Sequence, residues 1–263
     1  MMSPEAAGAA AEAGEHHIHS IIYWPVNAGW HLLLSATGLD RYWGRIEVPE
    51  HVAMSLFVML VCAAIFIPMR LRFSKERPGK LQQILEVFVE ELEKLIDDVV
   101  GHGAGRRYLP IIGALAVFIF FGNLCGLFFF LQTPTSNLNT TFALSITAFL
   151  YYNYIGLRRH GLSYFKQFLG PIGGMPVAMA IPFALLFLII EPVSHAARAL
   201  SLAVRLFGNI FGEHAVTGQF FGFAPIILPI PMMLLGLFAA LLQAFIFIML
   251  TMAYIAGAEA TEH

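Results

Sequence analysis

The sequence predicts an all-α polytopic membrane protein. It has about five to six transmembrane helices, the last two forming a long tilted hairpin, plus an amphipathic helix on the cytoplasmic surface. Three observations carry this. Of 263 residues, 58% are hydrophobic and 12% charged, against roughly 45–50% and about 25% in a soluble domain. The 15 Lys and Arg with 17 Asp and Glu cannot supply a polar skin. The charges are also clustered, with none from Leu109 to Leu157, Gln167 to Ile190 or Ala215 to Ala258, and such runs suit bilayer spans of about 20 residues. Finally, two Lys or Arg precede residue 50, eight fall between Arg70 and Arg107, and three between Arg158 and Lys166. Three successive spans then carry eleven basic residues on one side and two on the other, and by the positive-inside rule the N-terminus is outside.

Residues 1–48 read as an extracytoplasmic tail and interfacial segment. The first 20 residues have neither a basic n-region nor an apolar h-region, unlike a cleaved signal peptide. Glu15, His16, His17 and His19 are read as solvated, since no organised distant ligand accompanies them. Trp24, Trp30 and Trp43 suit the outer interface. The membrane domain covers residues 49–258 and opens with the span His51–Met69, followed by the basic loop from Arg70 to Lys80. From about 80 to 100, Leu81, Ile84, Leu85, Phe88, Leu92, Leu95, Ile96 and Val99 recur at three- and four-residue steps among acids, the pattern of a surface amphipathic helix. A second span runs from Leu109 to about Gln132, the turn formers around Pro134 connect it to a third, from about Leu138 to Leu157, and Arg158, Arg159 and Lys166 mark the inside again. The apolar stretch from about Leu169 to Phe223 is too long for one perpendicular crossing at 1.5 Å per residue. It must be tilted, broken or folded back. Pro171, Pro176, Pro182 and Pro192 offer breaks, and Pro225, Pro229 and Pro231 a turn before a final helix ending near Tyr254. The hairpin spans about 172–256, and residues 259–263 form a cytoplasmic acidic tail.

The chemistry concentrates between Glu191 and His214, where four formal charges and two histidines interrupt an apolar stretch. Ionisable groups at membrane depth cost about 2.5–3.5 kcal/mol each on insertion scales and mark functional positions. Glu191, Ser194, Arg198, Ser201, Arg205 and Asn209 follow at steps of 3, 4, 3, 4 and 4, a single stripe on one helix. Arg205 is its decisive member, because a guanidinium keeps its proton and acts as a fixed cation, not as a relay. No acid lies within four positions of it, so its partner is a carboxylate elsewhere. Glu213 and His214 form a second polar island two turns on, of residue types that bind and release protons. In the last helix Gln243 stands among Gly236, Ala239, Ala240 and Ala244, small residues that permit close approach of a neighbouring helix.

RLFGN at Arg205–Asn209, preceded by SLAV and followed by an acid and a histidine, together with LLQAFIFIMLTMAYI at Leu241–Ile255, resembles subunit a of the F-type ATP synthase membrane sector. The resemblance extends to GNLCGL at Gly122–Leu127, PTSNLNTT at Pro134–Thr141, the acidic position Glu191 and the acidic C-terminal tail. It implies a stator in the bacterial inner membrane with a cytoplasmic C-terminus, beside a rotating c-subunit ring and bound to peripheral-stalk b subunits and the rest of the synthase. Two aqueous half-channels would open to opposite sides with Arg205 between them, attracting the c-subunit carboxylate and blocking leak. Asn209, Glu213, His214 and Gln243 would belong to the outer half-channel, and Glu191, Ser194 and Ser201 to the inner one. ATP chemistry would occur on the soluble partner sector, with no cofactor or metal in this chain. Two departures stand out: Asn137 replaces an Asp common in the family, and Gly236 occupies the place of a histidine that some members pair with the glutamate after the arginine.

Blander readings stand beside these. Arg198 is as well explained by snorkelling to headgroups, Gln243 by interhelical hydrogen bonding, and Ser194 and Ser201 by packing. The low basic content excludes a nucleic-acid binder. Cys62 and Cys125 read as small buried hydrophobes. An autonomous ion channel or secondary transporter is the alternative function, and it would be expected to carry its own counter-charge for Arg205. A membrane hydrolase lacks a paired nucleophile and base or an HExxH motif.

Overall fold

The computed structural model describes residues 23–37, 48–74, 78–128, 131–161, 163–164, 177–223 and 229–260. The His16, His17 and His19 cluster, Trp43, Pro171, Pro176, Pro225 and the last three residues lie outside them. Every long element described is helical: α1 Tyr23–Thr37, α2 Glu50–Arg72, α3 Lys80–Val100, α4 Gly105–Cys125, α5 Leu138–His160, α6 Val177–Phe223 and α7 Pro229–Glu259, with a 3₁₀ turn at Pro134–Ser136 between α4 and α5. Among the described residues, four helices, α2, α4, α6 and α7, are long and apolar enough to cross a membrane. At 23 residues α5 is also long enough, but it carries Thr140, Thr141 and Ser145 on a buried face, which lowers its apolar content.

Helix α1 forms within the segment read as tail and interface. Its buried Asn27 accepts a hydrogen bond at 2.9 Å from the Val48 backbone N–H, fixing the approach to α2. The amphipathic pattern becomes α3, whose Leu92 and Ile96 are buried while Leu81, Ile84, Val87 and Phe88 stay exposed. The turn from α3 to α4 needs glycine twice over. Gly101 has φ 130°, a backbone region L residues rarely occupy. A Cβ on Gly105 would lie 2.7 Å from the Glu93 carbonyl oxygen, and the Gly105 N–H donates to Asp97 Oδ1 at 2.7 Å. Asn137 caps α5, its side chain accepting from the Asn139 N–H at 2.9 Å.

Of the three alternatives for the long apolar stretch, the described part is one unbroken helix of 47 residues that passes through Pro182 and Pro192. Each interior proline removes a helical hydrogen bond at a cost of about 3 kcal/mol, yet both face outward. In an apolar medium the helix is the conformation that pairs the remaining backbone groups. The membrane-compatible part alone, Ile181–Thr217, has 37 residues and a length of about 55 Å at 1.5 Å per residue. A hydrocarbon core of about 30 Å accommodates that only with strong tilt. Pro229 and Pro231 fall in the first turn of α7, where proline is tolerated.

The helices meet antiparallel. Tyr108 and Glu259 join the start of α4 to the end of α7, Tyr152 and His195 join late α5 to the first half of α6, and Asn209 and Gln243 join the second half of α6 to the middle of α7. Two apolar clusters fill the space between. One groups Tyr108, Ile112, Tyr152, Ile155, Met252 and Ile255 with Leu92 and Ile96 of α3. The other groups Leu115, Ile119 and Ala148 with Leu202 and Leu206 of α6 and Phe247 of α7. The Glu259 carboxylate clamps one end of the bundle, lying 2.7 Å from Arg159, 3.6 Å from Arg107 and 2.5 Å from the Tyr108 hydroxyl. Glu259 thus closes α7 rather than standing apart from it.

Candidate functional site

Helix α6 carries most of the polar groups, and its faces divide sharply. His195, Leu202, Ala203, Leu206 and Ile210 are buried against α5 and α7. Arg205 falls about 100° from Leu206 by helical geometry and is exposed, as are Ser201 and Gly208 beside it. Among the described residues no acidic side chain lies within ion-pair distance of Arg205. A fixed cation therefore stands on the exposed face of α6, flanked by exposed Leu200, Val204 and Phe211.

The stripe read from the sequence has two kinds of member. Arg205, Ser201 and Asn209 are all exposed, but Asn209 also donates through Nδ2 to Gln243 Oε1 at 2.5 Å. Gln243 is 1% exposed, with Ala240 and Ala244 buried beside it, so the small residues of α7 do bring the two helices close enough for an amide pair. Its Nε2 has no hydrogen-bond partner among the described residues.

Glu213 and His214 diverge by about 100° around the helix and meet different elements. The Glu213 carboxyl lies over Gly236 of α7, where an added Cβ would stand 1.8 Å from Oε1. Gly236 therefore leaves the space that the carboxyl fills. His214 turns toward the connection between α4 and α5, its Nε2 3.3 Å from Thr133 Oγ1. Nearby, Asn123 Oδ1 accepts from Thr135 at 2.6 Å, and Asn123 is buried. Glu213, His214, Asn209 and Gln243 thus gather where late α6, the first half of α7 and Thr133 come together.

Glu191, Ser194 and Arg198 lie toward the other end of α6. The Arg198 guanidinium sits 5.7 Å from the centre of the Tyr254 ring, a cation–π contact within the chain rather than a free side chain. Glu191 Oε1 is 3.4 Å from Nε2 of His195, whose Nδ1 is 2.9 Å from the Tyr152 hydroxyl. Close by in sequence, Tyr164 donates to Asn153 Oδ1 at 3.0 Å, and burial holds its phenol above the ordinary value, keeping it a donor. The stripe pattern passes over His195, which lies off it. The signal that would have found it is its position four residues after Glu191.

Two polar groups therefore occupy opposite ends of one helix, with an exposed arginine between them. The model of the family described as "ATP synthase A chain" matches residues 52–256, which include all of these groups. The chain is 44% identical over 213 residues to ATP synthase subunit a 1 of Syntrophotalea carbinolica, covering 81% of this chain and 87% of the relative. It is 40% identical over 212 residues to ATP synthase subunit a of a Sulfurihydrogenibium species, covering 80% and 96%. The subunit a of Geobacter sulfurreducens is 36% identical over 230 residues, covering 85% and 96%. With its apolar helices and this match across most of its length, the chain belongs to the ATP synthase A chain family, the membrane-spanning subunit a of the synthase.

Proposed function

We propose that this chain is the proton-translocating stator of a rotary F-type ATP synthase, seated in a bacterial inner membrane with its N-terminus outside and its C-terminus cytoplasmic. The observation that carries this reading is Arg205, exposed on the face of α6 that α5 and α7 leave uncovered, with no acidic side chain in ion-pair reach among the described residues. An autonomous channel or transporter would need a counter-charge of its own there, because an unpaired guanidinium at membrane depth is costly. A carboxylate on a passing c-subunit ring supplies it.

The same reading assigns roles to the other residues. A proton enters by the outer half-channel, formed by Asn209, Glu213, His214 and Gln243, and neutralises a ring carboxylate, which then moves into lipid. On the other side the arriving carboxyl loses its proton into the inner half-channel, to which Glu191, Ser194 and Ser201 belong. Arg205 stands between the two paths. Its cation favours the ionised form of the carboxylate facing it, and since it does not release its own proton it blocks a direct leak. Each proton falling through 100 mV releases about 2.3 kcal/mol, which turns the ring because entry and exit are displaced along α6. The peripheral-stalk b subunits would hold the chain still against that rotation, and the ATP chemistry belongs to the soluble sector.

The test is Arg205→Ala in the assembled complex in sealed vesicles. ATP synthesis driven by an imposed proton gradient should vanish while the subunit composition stays intact. Synthesis at the wild-type rate in that variant would overturn the proposal.

A further inference from the structure

We propose that His195, anchored by Tyr152, is a positioning residue that holds the Glu191 carboxylate in place for proton exchange at the Arg198 end of α6. This rests on the proton-translocating reading above and adds two residues to it.

His195 is 4% exposed and Tyr152 2%, and their rings stack with centroids 5.8 Å apart at 24°. For packing alone, a Leu or Phe at position 195 would fill this apolar space without the cost of desolvating an imidazole. The two ring nitrogens are used instead. The Tyr152 hydroxyl lies 2.9 Å from Nδ1; we assign the hydroxyl as the donor, which leaves the imidazole proton on Nε2. Nε2 lies 3.4 Å from Glu191 Oε1, one helical turn back, at ion-pair distance but outside hydrogen-bond alignment. The imidazole thus bridges a buried hydroxyl and a carboxylate that keeps 21% of its side chain exposed. Such a partner fixes both tautomer and ring orientation, as in other carboxylate–histidine pairs.

The remaining charged and titratable groups around the pair sharpen the role. Arg198 is turned onto the Tyr254 ring, and Tyr254 in turn packs against Tyr152 with centroids 5.7 Å apart. The Glu191 carboxylate is therefore held by a neutral donor and not by a guanidinium. A guanidinium would fix it as a permanent anion, whereas a neutral imidazole orients it and leaves it free to take a proton. The exposed remainder of the carboxylate is the part water can reach.

The experiment is a double-mutant cycle in the assembled synthase, read as ATP-driven proton pumping into inverted vesicles. His195→Phe keeps a ring in the space and should lower pumping about tenfold, as the polar contact to the Glu191 carboxylate is lost. His195→Gln restores a side-chain N–H toward Glu191 and should recover most of that loss. Tyr152→Phe, which removes only the hydroxyl, should cost about threefold. The decisive comparison is His195→Phe in a Glu191→Gln background. If His195 acts through Glu191, it should have no further effect there, whereas a purely structural role gives effects that multiply. If His195→Phe fails to assemble, Tyr152→Phe and His195→Gln are put through the same cycle. Multiplying effects, or wild-type pumping in Glu191→Gln, would overturn the inference. Arg205→Ala is run alongside: pumping that survives it removes the stator reading itself, whereas its loss together with multiplying His195 effects removes the His195 role alone.

Discussion

Gly236→Ala tests how much the position of one carboxyl matters. The added Cβ would stand 1.8 Å from Glu213 Oε1 and 2.7 Å from Cδ. Ordinary carbon–oxygen contact is about 3.4 Å, so the carboxyl must withdraw by about 1.6 Å. The atoms struck are the tip of a flexible side chain, not backbone, so the helix pair itself should survive. Alanine also favours the helix by up to about 1 kcal/mol over glycine. The expected result is a chain that accumulates and assembles normally but translocates protons at least about tenfold more slowly, since a displacement of 1 Å in a reacting group can cost about a hundredfold. The assay is proton flux in sealed vesicles, normalised to subunit content. Gly257→Ala, in the same helix with nothing within 4 Å of its Cβ, is the control and should leave flux unchanged. Glu213→Asp placed on Gly236→Ala shortens the side chain by one methylene and should restore part of the flux. Wild-type flux in Gly236→Ala at normal assembly would refute the idea that Glu213 must sit against α7.

Gln243→Leu removes the acceptor of the Asn209 amide and should destabilise the α6–α7 pair by about 0.6–1.7 kcal/mol, the range for interhelical hydrogen bonds in membranes. Denaturant unfolding of the purified subunit complex in detergent reads it, and an unchanged midpoint would mean the contact contributes nothing. Glu259→Gln weakens the clamp joining α4, α5 and α7. Arg107 and Arg159 are about half exposed, so their ion pairs are screened, and the Tyr108 hydrogen bond carries most of the effect, about 1–2 kcal/mol. Faster protease trimming at the end of α7 should follow, and trimming at the wild-type rate would place the stability of that end elsewhere.

What the sequence disclosed, and what it withheld, follows from the range of the forces involved. The ends of α2, α5 and α3 are legible because composition changes abruptly at the bilayer boundary: Glu50 and Arg72 bracket α2, Arg158 and Arg159 end α5, and the acids of α3 keep a three- and four-residue rhythm. The stripe from Glu191 to Asn209 is legible because helical period alone produces it. The unbroken course of α6 through Pro182 and Pro192 is not, because the rule that proline breaks helices assumes water is available to satisfy the freed carbonyls. Helix α1 carries no long apolar run to announce it. The His195–Tyr152 contact joins residues 43 apart, and the fit of Glu213 over Gly236 is a clearance between helices. Such contacts depend on how α5, α6 and α7 pack, which no local pattern encodes.

The polar side chains at membrane depth divide according to where their partners come from, and the division bears on mechanism. Gln243, His195, Glu191, Arg198 and His214 each meet a group of this chain, while Arg205 meets no acid among the described residues. An in-chain carboxylate 4 Å from Arg205 would be worth about 4 kcal/mol at an effective dielectric of 20, roughly a thousandfold in affinity. Any carboxylate arriving from outside would have to displace it at every step. A cation meant to engage and release a passing anion must therefore lack a resident partner, and its folding cost must be borne by the rest of the bundle. The two apolar clusters and the Glu259 clamp hold α4, α5 and α7 together independently of the exposed face of α6. On the proposed reading, that separation lets one face stay energetically unsatisfied in the isolated chain and become satisfied when the ring is docked against it.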